Sequence, residues 1–469
     1  MDSMSPNVIS TIVKNDLCIG WGVCAVLCPD HSLTMQFNLF GEYNPVEEKE
    51  CSKECGICLK ACPFADCNDN EDAIGKMLYG NVPGICHSME TGYFLDTYVG
   101  YAPDTRERGS SGGMATWFLS TLLKKRIVDF IIAVIPNENP NQLFKFSILT
   151  DIESVLNSSG SAYYPIELSG VLNEIQNKPG RCAIIGLPCF IKAIRLVCQK
   201  NKKLNEKILI TIGIVCGQLK SKHYTEYISV LSGVIPPLKK VHYRGKSSEK
   251  PASNYYFSSM SEEGQKGEIF WKNGVAEAWT NRWFTPNACN YCDDVFSECA
   301  DVAFMDAWLP EYSSDYKGTN LVLVRSAQVQ KLIIDGIESG EINLKIIPIQ
   351  KVIESQPAGI VEKRINLAYR LFLSRSAGIV TPKKRIEPMK ITNPFQKKKF
   401  VLKDQMRNSS KTIWSVKSSK GLYDLEDFRE RMDFFLSQIL IWNRLSKIFI
   451  FPRNACRVLR KKIRGFCYG

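Results

Sequence analysis

Eighteen cysteines occur in the 469-residue sequence, and their spacing near the N-terminus could hold iron–sulfur clusters. Residues 51–63 follow the pattern C-x3-C-x2-C-x3-C-P, which is typical of runs that bind such clusters. The cysteines of this run are Cys51, Cys55, Cys58 and Cys62. Residues 18–29 follow a related pattern that also ends in Cys-Pro, but Trp21 occupies the position of its second cysteine. The cysteines that remain in this first run are Cys18, Cys24 and Cys28.

The two runs predict two sets of ligands, because in two-cluster ferredoxins the fourth cysteine of each run binds the other cluster. The complete set contains Cys28, Cys51, Cys55 and Cys58. The other set contains only Cys18, Cys24 and Cys62, and its fourth corner faces Trp21. An indole ring offers no in-plane lone pair, so this second cluster would be a three-iron cluster, take a non-cysteine ligand, or be absent. The alternative is a structural zinc site, which a single four-cysteine group would satisfy.

The composition favours a cytoplasmic protein with sizeable buried cores. Hydrophobic residues make up 45% of the chain and charged residues 23%. The sequence contains neither a signal-peptide pattern nor a spanning apolar run, so clustered cysteines indicate metal sites rather than disulfides. The net charge of +12 arises in residues 381–469, which hold 22 Lys and Arg against 7 Asp and Glu. The rest of the chain is near neutral, and no nucleic-acid partner is expected.

Strand-like and helix-like segments alternate through the middle of the chain, which predicts an α/β body with some parallel strand pairs. The apolar strand-like runs are residues 129–135, 181–187, 207–217 and 320–325. The helix-like segments between them include residues 113–126, 189–201 and 222–231. Residues 242–285 are predicted to form an irregular β insertion. We therefore expect a ferredoxin-type domain at 1–85, a body at 90–375, and a basic linker with a C-terminal helix at 376–469.

Four stretches of the body carry further residues that could hold cofactors. The segment "RGSSGGMATWFLSTLL" (108–123) is a Ser/Gly loop before a helix, where free N–H groups suit a phosphate. Cys189 begins a helix after a strand and tight turn, and Cys216 follows a buried strand, where α/β sheets place ligands. The segment "ACNYCDDVFSECADVAFMDAW" (288–308) supplies Cys289, Cys292, Cys299 and Asp306.

Taken in this order, these stretches resemble the family of coenzyme F-420 hydrogenase/dehydrogenase beta subunits, in the subgroup with a doubled ferredoxin module. The resemblance covers about residues 14–370 and implies FAD and two or three 4Fe-4S clusters. It implies that Ser110, Ser111, Gly112, Gly113 and Asp306 lie at the flavin. It also implies that Cys289, Cys292 and Cys299 bind a cluster, with a fourth ligand that could be Cys189 or Cys216.

The expected function is electron transfer between FAD and 4Fe-4S clusters, with hydride exchange to coenzyme F-420 or a related substrate. A flavin accepts two electrons as hydride and a cluster accepts one, so the fusion would convert between them. The expected partners are a ferredoxin or a hydrogenase/dehydrogenase subunit and a small-molecule hydride donor or acceptor. The alternatives are a ferredoxin-dependent reductase of another organic compound and a non-enzymatic electron carrier without flavin. Neither a dinucleotide-binding glycine motif nor a P-loop is present.

The C-terminal segment 433–454 has a broad apolar face at helical period, and residues 457–465 add five positive charges. The apolar face contains Phe435, Leu436, Ile439, Leu440, Trp442, Leu445 and Phe449. One interpretation is a helix that packs on the body and ends in a solvated tail. The other is a peripheral membrane anchor, with the basic end on anionic lipid.

Overall fold

A computed structural model describes residues 6–51 and 55–466, with side chains described as far as residue 447. The N-terminal part is built from short elements that surround the cysteine runs. They are a π-helical turn (Ile9–Val13), α1 (Val23–Leu27), β1 (Leu33–Phe37), β2 (Tyr43–Glu47), a 3-10 turn (Ile57–Ala61), α2 (Glu71–Tyr79), β3 (Cys86–Ser88) and β4 (Gly92–Phe94). The strands form two antiparallel pairs, β1 with β2 and β3 with β4.

The body contains the alternating strands and helices expected of an α/β protein. Its first half comprises β5 (Asp96–Tyr101), α3 (Pro103–Arg106), α4 (Met114–Lys124), β6 (Phe130–Pro136), β7 (Phe144–Leu149), α5 (Ile152–Asn157), α6 (Ser169–Asn177), β8 (Cys182–Gly186), α7 (Pro188–Lys200), α8 (Lys202–Lys207), β9 (Ile208–Ile214) and α9 (Lys222–Leu231). All four predicted strand runs are confirmed. Three of them form β6, β8 and β9, and the fourth forms the strand Asn320–Val324 in the second half of the chain.

The second half of the chain begins with the β insertion and ends with two long helices. It comprises β10 (Leu238–Gly245), β11 (Tyr256–Ser261), β12 (Lys266–Phe270), α10 (Val275–Thr280), β13 (Val302–Asp306), α11 (Pro310–Ser313), β14 (Asn320–Val324), α12 (Ala327–Glu338), β15 (Asn343–Ile346), α13 (Ile349–Glu354), α14 (Pro357–Ile360), α15 (Leu367–Ser376), α16 (Pro394–Ser418) and α17 (Leu425–Phe466). A π-helical turn, Val361–Asn366, precedes α15.

One eight-stranded mixed sheet organises the body, in the order β15-β5-β14-β13-β9-β8-β6-β7. Its centre is parallel, since β13 pairs with β9, β9 with β8, and β8 with β6 in parallel register. The central strands are continuous apolar runs buried on both faces, as parallel sheets with helices on each side require. The predicted β insertion is a separate antiparallel sheet, in the order β10-β11-β12.

The basic linker predicted over residues 376–420 is wrong for most of its length, because residues 394–418 form the 25-residue helix α16. One face of α16 is buried at four-residue steps, through Leu402, Met406, Ser410 and Trp414. Most of its lysines lie outside this stripe, although Lys411 is buried beside it, so the composition resembled a linker although an apolar stripe was present. Upstream of the helix, Lys384 forms a buried ion pair with Asp293 (3.2 Å) and is not solvated.

The final helix, α17, packs against the body through its described side chains. Phe428 and Met432 are fully buried, and Phe435, Leu436 and Trp442 contact the same core. Leu440, assigned to the apolar face from the sequence, is 57% exposed. The side chains of Phe449 and of residues 457–465 lie outside the described part of the structure. Within the described residues, no helix is long and apolar enough to cross a bilayer.

Candidate functional site

Four cysteines from three separate parts of the body line one cavity, which we call the body cage: Cys189, Cys216, Cys289 and Cys292. Cys189 lies in the first turn of α7 and Cys216 follows β9. Cys289 lies in the 3-10 turn Asn287–Tyr291, and Cys292 caps the end of this turn. Because β8 and β9 are parallel neighbours, their carboxyl ends place Cys189 and Cys216 at one edge of the sheet. The cavity has an empty volume of about 350 Å³.

The thiols of the body cage are difficult to ionise unless positive charge is supplied. Burial raises the pKa of Cys189 well above its usual value, and the neighbouring thiols of the cage raise it further. Burial likewise raises the pKa of Cys289 to about 12, with Cys216 as the next cause. Thiolate is the form that binds metals, so an iron–sulfur cluster would supply the missing positive charge. The donor set fits such a cluster, because soft thiolates are its usual ligands.

A buried lysine gives the body cage one protein cation. Lys363 Nζ donates to the sulfur of Cys292 at 3.3 Å and to the backbone oxygen of Asp294 at 2.5 Å. Burial disfavours the ammonium, but negative charge on Cys292, Cys216 and Asp294 outweighs burial, so the pKa of Lys363 is raised. Lys363 therefore stays protonated beside the cage and stabilises negative charge on its sulfurs.

Several of the N-terminal cysteines lie near one another. Cys24 lies beside Cys18 and Cys62, and burial followed by these two thiols raises its pKa well above the usual value. Burial raises the pKa of Cys51, and the thiols of Cys55, Cys58 and Cys28 raise it further. Cys51 therefore lies near these three cysteines. Within the described residues, no three His, Cys, Asp or Glu side chains converge on a point that one metal ion would occupy. Cys18, Cys24 and Cys62 line one cavity, but Cys58 also lies near Cys24, so the division of these thiols into two ligand sets stays a prediction.

Trp21 fills the corner of the three-cysteine set where the missing ligand was expected. Its side chain is 3% exposed and lines a cavity together with Cys18, Cys24 and Cys62. The indole ring stacks on Phe64, with the ring centroids 5.5 Å apart and the planes 30° apart. Phe64 also lines the body cage. The Trp21–Phe64 pair therefore lies between the three-cysteine set and the body cage.

Cys299, which was predicted to join Cys289 and Cys292, does not line the cavity of the body cage. The Cys299 thiol is fully buried, and its pKa is raised by burial first and then by Glu71 and Asp294. Its backbone oxygen accepts hydrogen bonds from Tyr79 and Arg195, both at 3.1 Å. The chain turns between residues 294 and 298, where Glu298 N donates to Asp294 Oδ2 at 3.0 Å, and Cys299 follows this turn.

The predicted flavin loop, Ser110–Gly113, is held tightly against the start of β14. A Cβ on Gly112 would lie 2.8 Å from the backbone nitrogen of Asn320, so only glycine fits at this approach. Ser111 Oγ donates to the backbone oxygen of Thr319 at 2.9 Å, and Ser110 Oγ accepts from Ser161 Oγ at 2.9 Å. The glycines of this loop therefore permit close backbone packing in the protein itself.

A cationic side chain reaches the same loop from the small sheet. Lys246 Nζ donates to the backbone oxygens of Ser111 (2.9 Å) and Lys317 (2.6 Å). Burial lowers the pKa of Lys246 to about 8. The structure thus places a cation beside the loop from which the sequence suggested phosphate binding.

Asp306 ends β13 and is paired with a buried arginine. Arg244 Nη1 and Nη2 donate to the two carboxylate oxygens of Asp306 at 2.8 and 3.0 Å. The guanidinium also lies over the rings of Tyr255 (4.7 Å) and Trp308 (5.6 Å). Arg244 Nε is buried and has no hydrogen-bond partner among the described residues. Asp306 therefore orients Arg244, and Arg244 retains an unused N–H donor.

Comparison with models of known protein families shows to which family the chain belongs. Residues 97–173 match the N-terminal model of the coenzyme F-420 hydrogenase/dehydrogenase beta subunit, and residues 180–349 match the model of its C terminus. Together the two matches span more than half of the chain. The chain belongs to this family. The resemblance inferred from the motifs is thus confirmed.

Two characterised relatives share parts of the chain at low identity. One subunit of the F(420)H(2) dehydrogenase of Methanosarcina mazei is 23% identical over 333 residues, which is 68% of this chain and 82% of the relative. The coenzyme F-420-dependent sulfite reductase of Methanocaldococcus jannaschii is 24% identical over 189 residues, which is 40% of this chain. This match spans only 26% of the sulfite reductase.

A solved structure with a related chain is the F-420-reducing NiFe hydrogenase complex from Methanosarcina barkeri. The match covers 64% of this chain and 98% of that chain, with 16% sequence identity and a TM-score of 0.47.

Several residues at these sites were not singled out from the sequence. Lys363 comes from the π-helical turn before α15, far along the chain from Cys292. Arg244 and Lys246 come from the end of β10 and the residue after it. The only available signal was two cations in the aromatic-rich segment 242–246, and nothing local indicates which site they reach.

Proposed function

We propose that this chain is an iron–sulfur flavoprotein oxidoreductase that passes electrons between FAD and 4Fe-4S clusters. In this proposal it exchanges hydride with coenzyme F-420 or a related substrate. The observation that carries the proposal is the adjacency of the body cage and the three-cysteine set, separated by the stacked rings of Trp21 and Phe64. Neighbouring cluster sites in one chain are what stepwise one-electron transfer needs. Membership of the family of coenzyme F-420 hydrogenase/dehydrogenase beta subunits supports the chemistry.

The proposed ligand sets follow from which thiols lie together. The body cluster would be held by Cys189, Cys216, Cys289 and Cys292, so both candidate fourth ligands take part and Cys299 does not. The N-terminal module would hold one cluster on Cys28, Cys51, Cys55 and Cys58. Cys18, Cys24 and Cys62 would hold the second module cluster, or leave it empty.

The proposed flavin site is the region between the Ser110–Gly113 loop and the small sheet. A bound flavin would supply two-electron hydride chemistry, which a cluster cannot supply alone. Lys246 and Arg244 would offer positive charge to anionic groups of such a ligand, and the buried Arg244 Nε is a donor that lacks an acceptor. Asp306 would act through Arg244, because its two oxygens are already engaged by the guanidinium.

The proposed partners are a redox protein and a small-molecule hydride donor or acceptor. The relatives named above include part of a dehydrogenase, a sulfite reductase and a hydrogenase complex, which supports a ferredoxin or another subunit as the electron partner. We also propose the domain division made from the sequence, except that residues 394–418 form a packed helix. The substrate depends on the pocket, because members of one fold family act on different substrates.

The proposal is tested on the full chain, reconstituted without oxygen. Iron, acid-labile sulfide and releasable flavin are measured per chain, and then reduced coenzyme F-420 is added. We expect iron and sulfide in cluster ratio, released FAD, and loss of flavin absorbance upon addition of reduced coenzyme F-420.

The matched control is Cys86→Ser, which changes an exposed cysteine outside the three sets and should leave every reading unchanged. Iron without flavin would instead indicate the non-enzymatic electron carrier. Flavin that is reduced by ferredoxin but not by reduced coenzyme F-420 would indicate a reductase of another organic compound.

A further inference from the structure

The helices α16 and α17 form an antiparallel hairpin with one closed and one open end. At the closed end, where a short connection joins the helices, Lys417 pairs with Asp424 (2.8 Å) and Asp427 (2.7 Å). At the open end, Lys399 Nζ donates to Asn443 Oδ1 at 2.9 Å. This contact places the first turns of α16 beside the middle of α17, although 44 residues separate the two partners along the chain.

The open end of the hairpin carries basic residues from both helices. Those that are exposed or half-buried are Lys397, Lys398, Lys403, Arg444 and Lys447. None of these five side chains forms an ion pair within the part of the chain whose side chains are described. The nearby carboxylate of α16, Asp404, is already engaged by Arg370 (3.7 Å) and Arg407 (3.6 Å). The positive charge of this end is therefore not neutralised by the protein.

The charges of the hairpin are segregated along the sequence as well. Asp433 is the last acidic residue, and residues 434–469 contain eight Lys and Arg and no Asp or Glu. The acidic residues of α17 thus lie toward the closed end, and its basic residues follow toward and beyond the open end. Such a gradient favours a negatively charged partner at the open end.

The same side of α17 also exposes large apolar side chains. Phe434 is 61% exposed, Leu440 57% and Ile441 47%. Phe434 and Ile441 are seven residues apart, and Leu440 and Arg444 are four apart, so these side chains lie on one side of the helix. The opposite side of α17 packs on the body through residues such as Ile439. One helix therefore has a buried apolar face and a second, exposed stripe that combines apolar and basic side chains.

We propose that the open end of the hairpin binds an anionic lipid surface, which goes beyond the proposed function and requires neither flavin nor clusters. Phe434, Leu440 and Ile441 would enter the interface, and the basic residues of both helices would contact lipid phosphates. Interfacial helices combine exposed apolar residues with Lys and Arg in this way. A nucleic acid or an acidic protein would engage the cations but leave the exposed aliphatic side chains without a role.

The test is flotation of the reconstituted full chain with lipid vesicles. Phosphatidylcholine vesicles that contain about 30% phosphatidylglycerol are compared with vesicles of phosphatidylcholine alone. We expect binding to the anionic vesicles only. This binding should be lost at about 1 M salt, where the Debye length is about 3 Å.

Two double variants test the basic and the apolar contributions separately. Lys398→Gln with Arg444→Gln removes one exposed cation from each helix. Leu440→Ser with Ile441→Ser removes two exposed apolar side chains and should fold, because neither is buried. Each double variant should weaken vesicle binding about tenfold or more, with iron and flavin content unchanged. Phe434→Ser is a second, independent test of the apolar stripe.

The matched controls change exposed residues elsewhere on the chain. Lys202→Gln with Lys203→Gln removes two exposed lysines of α8. Met77→Ser changes a side chain of α2 that is 60% exposed, close to the exposure of Leu440. Both controls should bind vesicles like the wild type.

The outcomes are independent of the proposed function, because no residue of the cysteine sets is altered. Absence of binding to anionic vesicles overturns the proposal, and so does binding that withstands either double variant. Equal affinity for a nucleic-acid duplex, with no effect of Leu440→Ser and Ile441→Ser, would indicate a general polyanion site and overturn the lipid assignment. Binding that both double variants weaken and both controls retain supports it.

Discussion

At the scale of single residues, burial controls the chemistry of the candidate site. Each thiol of the body cage for which a shift is resolved has a raised pKa, with burial as its largest cause. Lys363 is the nearest protein cation, at 3.3 Å from the sulfur of Cys292. Thiols in this environment become good ligands only when a metal centre or an ammonium supplies charge.

Separate substitutions of cysteines should distinguish the ligand sets. Cys189→Ser and Cys216→Ser should each lose the iron of one cluster, because each removes one of four thiols around the cavity. Cys299→Ser should keep all the iron, because Cys299 lies in a different buried environment. The amounts of iron and sulfide per chain, measured in the reconstituted variants, test these expectations. Loss of iron in Cys299→Ser alone would contradict the proposed set.

Replacement of the buried lysine should make the body cluster harder to reduce. Lys363→Met removes a positive charge beside the Cys292 sulfur, so the reduced-to-oxidised ratio at the wild-type midpoint should fall about tenfold or more. The ratio for Lys363→Arg should lie between those of Lys363→Met and the wild type, because arginine keeps the positive charge on a side chain of different shape. Lys351→Met, at an exposed lysine on α13, is the control and should have no effect. A Lys363→Met cluster with the wild-type potential would contradict this role.

At the scale of elements, the two C-terminal helices complete an aromatic core of the body. Phe428 of α17 packs on Tyr227, Trp283, Phe284 and Trp414, with ring centroids between 5.2 and 5.6 Å apart. The described part of α17 is thus packed on the body, as the first interpretation of the segment held.

Truncation of one aromatic ring tests the contribution of α17 to stability. Phe428→Ala should lower the free energy of unfolding by about 3–5 kcal/mol, because it opens a cavity in a fully buried cluster. Phe434→Ala is the matched control and should change stability little, because Phe434 is 61% exposed. Urea unfolding of the reconstituted variants measures both, and equal effects would contradict the assigned packing.

Glu362, in the π-helical turn before α15, should make the free energy of unfolding depend on pH at acidic values. Burial alone would raise the pKa of Glu362, but Arg282 and Arg370 outweigh it and lower the pKa to about 2. The ordinary value is 4.5, so the stabilisation from Glu362 is complete above that pH and is lost as the pH falls toward 2.

Glu362→Gln should therefore destabilise the protein by about 3 kcal/mol at neutral pH. The difference from the wild type should shrink steadily below pH 4.5. Unfolding measured across this pH range tests the prediction, with Glu354→Gln, at a glutamate whose side chain is 56% exposed, as the control. A deficit that is independent of pH would contradict the assigned ion pairs.

At the scale of the whole molecule, the N-terminal module is fastened to both the body and the C-terminal helices. The backbone oxygen of Trp21 accepts from Leu168 N of the body, and Lys411 of α16 pairs with Glu42 at 2.7 Å. Both charged side chains of this pair are at most 6% exposed. The module is thus positioned by contacts that lie far apart in the sequence.

Breaking the Glu42–Lys411 pair by removing one partner should be costly. Lys411→Met leaves a buried carboxylate without its cation and should lower the free energy of unfolding by about 3–5 kcal/mol. The double variant Glu42→Gln with Lys411→Met should recover most of this loss, because no buried charge remains.

The pH dependence gives a second check on this pair. Burial raises the pKa of Glu42 and Lys411 opposes that rise. The pKa should therefore rise further in Lys411→Met, so the cost of this variant should diminish as the pH falls and the carboxyl becomes protonated. A cost that does not change with pH would contradict the buried ion pair.

The sequence alone determined the features that depend on short-range spacing. The two N-terminal cysteine runs could be recognised from spacing alone, since short turns fix where residues three or four apart can lie, and their crossed ligand sets stay a prediction. The central strands were also predictable, because continuous apolar runs indicate strands buried on both faces. The family followed from motifs whose order along the chain can be read directly.

Tertiary packing decided everything that depended on the path of the chain between motifs. Cys299 is only seven residues beyond Cys292, yet the buried turn at residues 294–298 carries it into a different environment. Both Cys189 and Cys216 reach the cage because two parallel strands end side by side. Cys189 and Cys292 line the same cavity although 103 residues separate them along the chain. No local spacing encodes such distances, because they are set by how the sheet, the module and the helices pack together.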